Sequence, residues 1–189
     1  TANLRSRVDN DTVNGEPMGR AGTGGDRLLT CDAGHDARKN ALARGVGALA
    51  QHPEECEKRR LSPELINGAV EGIIRWASPV NYMKRVVAKG LEFHGQKLSK
   101  GDNVVLFYGS ANRDEKVFED PFTFRVDRNP NPHLGFGIGE HFCIGSHLAR
   151  ASQRAMLKEL VGRIDSLELA GEPSPIQSSF VVGLKELPL

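Results

Sequence analysis

The chain has 189 residues, with 25 Lys+Arg against 24 Asp+Glu and 39% apolar content, which suits one globular domain or part of a larger one. So even a charge balance excludes bulk electrostatic attraction to nucleic acid or to a membrane surface, and no apolar run approaches the ~18 residues of a spanning helix. Its three cysteines, Cys31, Cys56 and Cys143, stand far apart without C-x-x-C pairs, which excludes a disulfide framework and a structural zinc site; a reducing cytoplasm is the expected compartment.

Residues 1–27 are polar and Gly-rich, as in Gly19-Arg20-Ala21-Gly22-Thr23-Gly24-Gly25-Asp26, and show no period. With Asp26, Arg27, Thr30 and Asp32 interrupting any apolar face, residues 1–32 are expected to be a poorly ordered N-terminal segment, and 33–189 to carry the fold. No signal-peptide pattern opens the chain, and its first residue is Thr rather than Met, so the numbering is expected to begin inside a longer protein. From Ala37 to Gln51, Ala41, Leu42, Val46 and Leu49 recur at helical spacing, and His52-Pro53 stops them. Residues 54–60 predict a solvated, charge-paired helix. Ser62-Pro63-Glu64 then reads as the cap and first turn of a helix reaching Trp76, closed by Pro79.

The period then changes. Lys84–Ala88, Leu91–His94 and Asn103–Tyr108 predict short strands between Gly-containing turns, a β region over 84–108. Prolines and asparagines over 120–135 forbid regular structure. A helix is predicted over Ile144–Ile164, with Leu148, Met156, Leu157, Leu160 and Val161 facing a core. Leu167–Leu169 and Phe180–Leu184 predict a closing hairpin within 167–187.

The chemistry concentrates in Phe136-Gly137-Ile138-Gly139-Glu140-His141-Phe142-Cys143-Ile144-Gly145. Glycines 137 and 139 let a loop fold back and bring N–H groups near one sulfur. Cys143, at a predicted helix start, is placed where backbone dipoles favour a thiolate, which is a ligand for iron. Gly145 removes a side chain where a flat cofactor would lie. His141 offers an N–H or positive charge to an anionic group.

This stretch, continued by Ser146-His147-Leu148-Ala149-Arg150, resembles the cysteine loop of cytochrome P-450 monooxygenases, F-G-x-G-x-H-x-C-x-G followed by x-x-L-A-R. The resemblance runs from about Ala33 to Leu189. Asn129-Pro130-Asn131-Pro132-His133-Leu134-Gly135 and Ser110-Ala111-Asn112-Arg113-Asp114 are similar to bacterial, especially actinobacterial, members that oxidise sterols or methyl-branched lipids. The resemblance implies a mainly α fold with a small antiparallel β region, the C-terminal half of that family's fold, since members are roughly twice this length. It implies haem b with Cys143 as its thiolate ligand and Phe136, Gly137 and Gly145 against it. Arg85 would pair with one propionate, and His141 would serve the other. Electrons would come from NAD(P)H through a ferredoxin and ferredoxin reductase. Arg150, Arg154 and Lys158 form either a docking patch for the ferredoxin or a solvated helix face. A hydrophobic substrate would line Pro79–Tyr82 and Phe180–Val181, unless these residues are plain core.

Three positions depart from the family pattern. A-G-x-[D/E]-T reads Ala33-Gly34-His35-Asp36-Ala37, so the hydroxyl that assists proton delivery is missing; Asp36 with a water is the expected substitute, and peroxide leakage is the expected cost. In E-x-x-R, Gly72 stands where Glu belongs. Glu71 lies about 100° round the helix from it and is expected to pair with Arg75, either as a surface pair or as a brace of the cysteine loop. Thr123 occupies the place of the triad's last Arg, and Arg128 is its expected replacement. Two readings follow: a haem-thiolate monooxygenase, or a truncated, catalytically inactive relative that at most binds haem or a partner.

Overall fold

The structure, a computed structural model, describes residues 12–17 and 19–189. The chain divides into two compact units, Thr1–Lys39 and Asn40–Leu189. In the first, β1 (Thr12–Val13) and β2 (Glu16–Pro17) form an antiparallel hairpin across Asn14-Gly15, both at positive φ. Helix α1 spans Arg20–Gln51. Its start corrects the expectation of an irregular segment reaching residue 32, whose residues 1–11 and 18 lie outside the described ones. Residues 20–36 of α1 are exposed almost throughout, so they need no apolar face. Extending an existing helix also carries no new nucleation cost, which is how Gly22, Gly24, Gly25 and Gly34 are tolerated there.

In the second unit, α2 (Pro53–Leu61) starts on Pro53, and Pro63–Leu65 forms a 3-10 turn leading into α3 (Ile66–Ala77). Ser78, left-handed at φ 37°, closes α3 by returning its N–H to Ile74 O, and Pro79 follows. Four strands come next: β3 (Tyr82–Val86), β4 (Leu91–Phe93), β5 (Gln96–Leu98) and β6 (Asn103–Phe107). They form two separate antiparallel ladders. β3 pairs with β6 in the register Tyr82↔Phe107 to Val86↔Asn103, and β4 pairs with β5 across His94-Gly95. Both turn residues have positive φ, the geometry of a tight hairpin.

A short helix α4 (Tyr108–Ala111) follows, then irregular chain to α5 (Ser146–Arg163). The last ladder pairs β7 (Ser174–Pro175) with β8 (Leu184–Glu186). It replaces the expected pairing of 167–169 with 180–184: Leu167 packs against the core instead, while Val181 bridges to Val80. The fold is therefore mainly α with small antiparallel ladders.

The core joins Ala48 and Leu49 of α1, Ala69, Val70, Ile73 and Ile74 of α3, Phe124, Val126 and Leu157 of α5. The chain at 125–127 lies directly on α3. A Cβ at Gly68 would meet Val126 O at 2.6 Å, and one at Gly72 would meet Arg125 O at 2.7 Å. Buried Glu55 fixes this approach by accepting the Val126 N–H at 2.7 Å. Helix α2 is thus not the wholly solvated helix its charges predict: Glu55 and Arg59 are both buried. Cys56 packs beside the core, where burial raises its thiol above the usual value, whereas Cys31 is exposed; neither belongs to a site.

Candidate functional site

The loop around Cys143 is shaped by its own backbone. Gly137 N–H donates to Leu134 O, Phe142 N–H to Gly139 O, and Cys143 N–H to Phe136 O, each at 2.9 Å. Gly137 and Gly139 have φ of +71° and +78°, so both turns require glycine. Helix α5 begins at Ser146 rather than Ile144. Cys143 therefore sits on the loop just before the helix, and its carbonyl accepts the Ser146 N–H at 3.1 Å.

The surface around the sulfur is apolar and open. Cys143 is half-buried; Ile138, Phe142 and Leu148 are exposed, and Ile144 is fully so. A Cβ at Gly145 would lie 3.9 Å from Cys143 Sγ, so this glycine keeps bulk away from the sulfur. Large apolar side chains left uncovered around one reachable thiol fit a flat, apolar, thiolate-ligated group such as haem. Exposed His141, in a 3-10 turn over Gly139–His141, adds a polar donor at the rim; Glu140 beside it is also exposed.

Helix α3 supplies the ion pairs behind this loop, and not the expected one. Glu71 does not pair with Arg75. Its carboxylate accepts Arg150 Nε at 2.7 Å, Arg150 Nη2 at 2.9 Å and His133 Nε2 at 2.9 Å. Burial pushes the Glu71 carboxyl up, but His133 and Arg150 outweigh burial and bring it to about 2. Arg150 is thus not a free charge of a docking patch. Its guanidinium lies 4.6 Å from the Phe136 ring centroid, and its pKa is raised, chiefly by the Glu71 hydrogen bond. The rest of the expected patch shows no such engagement: Arg154 is half-buried and Lys158 exposed.

Arg75 is 1% exposed and turns the other way. It donates to Asn112 O, Pro121 O and Thr123 O at 2.9–3.0 Å, and its Nε has no hydrogen-bond partner among the described residues. The 100° offset of Glu71 from position 72 accounts for this, because it carries the carboxylate to the His133 side. Burial, then Arg128 and Arg113, lower Arg75 to about 10. Arg128 donates to Glu119 O, Asp120 O and Thr123 O, sharing the last with Arg75. The Thr123 side chain is exposed, so the site uses its carbonyl rather than its side chain.

The other candidates lie elsewhere. Arg85 is half-buried on β3, and its Nη1 donates to Lys84 O at 3.0 Å. Among the described residues it has no carboxylate partner. Asp36 and Ala37 lie on α1 in the first unit, with Asp36 paired to His35 at 2.9 Å in an exposed position. Pro79–Tyr82 and Phe180–Val181 are brought together: Asn81 N–H donates to Phe180 O, Val182 N–H to Pro79 O, and the rings of Tyr82 and Phe180 lie 5.5 Å apart.

Two buried residues of the site carry no sequence signal of their roles. His133 has a side chain only 3% exposed. Asn112, fully buried, donates to Ser78 Oγ and accepts the Leu134 N–H, tying the end of α3 to the start of the cysteine loop.

The chain resembles known proteins over most of its length. The family model described as Cytochrome P450 matches residues 47–188. A methyl-branched lipid omega-hydroxylase of Mycobacterium tuberculosis is 42% identical over 188 residues, covering 98% of this chain and 44% of the relative. A steroid C26-monooxygenase of Mycolicibacterium smegmatis is 37% identical over 191 residues, covering 100% of this chain and 48% of the relative. A solved Mycobacterium marinum cytochrome P450 in complex with pseudoionone superimposes with a TM-score of 0.94 at 35% identity, covering 100% of this chain and 46% of that one. The chain thus spans about half the length of these relatives. No helix among the described residues is long and apolar enough to cross a membrane.

Proposed function

The chain belongs to the cytochrome P450 family, and from that premise we propose that it is the haem-thiolate part of a monooxygenase acting on a hydrophobic substrate, a sterol or a methyl-branched lipid. The carrying observation is Cys143: a half-buried residue whose N–H is clasped by Phe136 O, on a loop that leaves Ile138, Phe142 and Ile144 exposed. Haem b, when bound, supplies an iron at which dioxygen is activated and one oxygen atom is transferred. The chain's own residues do the rest. Cys143 would supply the thiolate ligand, Phe136, Gly137 and Gly145 would border the haem, and Arg85 and His141 would meet its propionates. Residues 33–189 constitute the partial domain that performs these roles.

The adjoining Pro79–Tyr82 and Phe180–Val181 segments present Tyr82 and Phe180 as an apolar wall for the substrate. NAD(P)H supplies electrons through a ferredoxin and its reductase in the cytoplasm, with Lys158 and Arg154 facing the acidic carrier. The activities of the mycobacterial relatives, on methyl-branched lipid and on steroid, support the substrate class.

The test is spectroscopic. Haem is added to the folded chain, reduced with dithionite and exposed to carbon monoxide. A band at the haem-thiolate position is expected, and it is expected to vanish in Cys143→Ser. A folded wild-type chain without that band, or a band that persists in Cys143→Ser, overturns the assignment.

A second reading, an inactive relative that binds haem without turnover, is favoured by Ala37 and Gly72. Ala37→Thr separates the two in a protein that turns over. Restoring the hydroxyl lowers the peroxide released per electron consumed; an unchanged yield counts against a proton-delivery role at this position.

A further inference from the structure

Resting on the haem-thiolate reading, we propose that Glu71, His133 and Arg150 are the positioning residues of the Cys143 loop, so that the brace is anchored at residue 71 rather than at the position Gly72 occupies. One carboxylate takes three donors from two other segments: Arg150 Nε and Nη2 from α5, and His133 Nε2 from the Pro-rich chain before the loop. Both arms then converge on Phe136. On the ring side, the Arg150 guanidinium lies 4.6 Å from the Phe136 centroid. On the backbone side, His133 Nδ1 accepts the N–H of Gly135, the residue before Phe136, at 3.2 Å. Phe136 O in turn accepts the Cys143 N–H at 2.9 Å. A carboxylate on α3 is thereby linked, through two independent routes, to the residue that clasps the sulfur's own amide.

The details of the network match that role. His133 accepts at Nδ1 from a backbone N–H, which leaves Nε2 as the atom that donates to Glu71. A Cβ at Gly135 would meet Ile74 Cγ2 at 2.7 Å, so the loop's first residue is pressed onto α3 beside the network. Glu71 stays ionised far below neutrality, which keeps the bidentate pair with Arg150 intact over the working pH range. The three act on the loop through Phe136 and Gly135, which makes them positioning residues. They set where the sulfur sits.

The test uses the 189-residue chain without haem, in a Cys31→Ser/Cys56→Ser background that leaves one thiol. Glu71→Gln and Arg150→Met are expected to speed both Cys143 amide exchange and its alkylation by iodoacetamide by about tenfold, the loss of one charge-assisted pair. The double variant is expected to be no faster than Glu71→Gln, because that substitution already removes the carboxylate from which both routes start. Exchange at Val87, whose N–H donates to Asp102 O, is expected not to change. His133→Asn keeps a Nδ1-like acceptor for Gly135 and deletes the Glu71 contact, a milder variant if the others fold poorly. Its expected result is a smaller acceleration in the same residues. Folded variants whose Cys143 exchange and alkylation match the parent overturn the positioning role.

The haem arm is separate. With haem bound, the carbon monoxide band of Glu71→Gln is expected to lose intensity at the thiolate position. A parent chain lacking that band overturns the haem reading while the exchange result still decides the brace. A parent with the band, and variants with both band and slow exchange unchanged, overturns the brace alone.

Discussion

Arg150 and Arg75 both end beside helix α3, and they are satisfied by opposite means. Arg150 meets a carboxylate: two of its nitrogens bond Glu71, and the pair is partly exposed, with side chains 24% and 28% accessible. Arg75 meets carbonyls and the Phe118 ring, 5.2 Å from its guanidinium carbon, is fully buried, and has Arg113 and Arg128 as its charged neighbours. The difference comes from one helical step. A carboxylate at 71 faces His133 and α5; one at 72 would face the chain at 125–126, which lies against Gly72. Moving a charge by one residue therefore decides which guanidinium is neutralised and which is held by carbonyls and aromatic rings. It also separates two tasks, with Glu71 linked to the cysteine loop and Arg75 tethering the chain from Asn112 to Thr123.

The largest expected effect lies on the carbonyl side. Arg75→Met removes three bonds and leaves Asn112 O and Pro121 O without their side-chain donor and Thr123 O with Arg128 alone, at a cost of about 3–5 kcal/mol in urea unfolding. Arg150→Met costs about 1–2 kcal/mol, because water reaches Glu71 once the arginine is gone. Equal costs for the two would break the comparison.

Position 72 sharpens it. Gly72→Ala places a Cβ 2.7 Å from Arg125 O, a backbone atom that must retreat, and is expected to destabilise by about 1–2 kcal/mol despite alanine's better helix propensity. Gly72→Glu imposes the same displacement but brings a carboxylate to the uncompensated Arg75. It is expected to be the less harmful of the two. If Gly72→Glu is the worse, burial of the new charge outweighs its pairing, and Arg75 is already adequately held.

Acid titration addresses the Glu71 side. The folded carboxyl sits at about 2 against the usual 4.5, so the unfolded chain takes up the proton first. The stability from this network is complete above about 4.5 and is lost as pH falls towards 2. In Arg150→Met the folded carboxyl moves back towards its usual value, and the acid-unfolding midpoint shifts to higher pH. An unchanged acid limb would show that His133 alone holds Glu71.

The legible and illegible parts of this site differ by the range of the interactions that make them. Loop glycines 137 and 139 were readable because positive φ is a local demand, and the structure gives both such angles. Strand positions 84–86 and 103–107 followed from alternation and turn residues. The start of α1 was not readable, because an exposed helix leaves no apolar period and here extends from a packed one. Glu71's partners were not readable either: His133 and Arg150 lie far along the chain, and spacing alone offered only the local pair with Arg75. Glu55 looked solvated among its charged neighbours because nothing local announces that the chain at Val126 returns to cover it.

The smallest effect is expected where identity to the family pattern is easiest to restore. Thr123→Arg puts an arginine at the place of the triad's last Arg, next to the carbonyl that Arg75 and Arg128 already share. The Thr123 side chain is exposed, and the site uses only its backbone oxygen, so the new guanidinium has solvent rather than a vacant acceptor before it. Stability is expected to change by less than about 0.5 kcal/mol. Arg128→Ala, by contrast, strips Glu119 O and Asp120 O of a donor and is expected to cost about 2 kcal/mol. A stabilising Thr123→Arg, or one that rescues Arg128→Ala, would mean that the carbonyl cluster has room for a third cation and that residue identity, not backbone position, governs this side of α3.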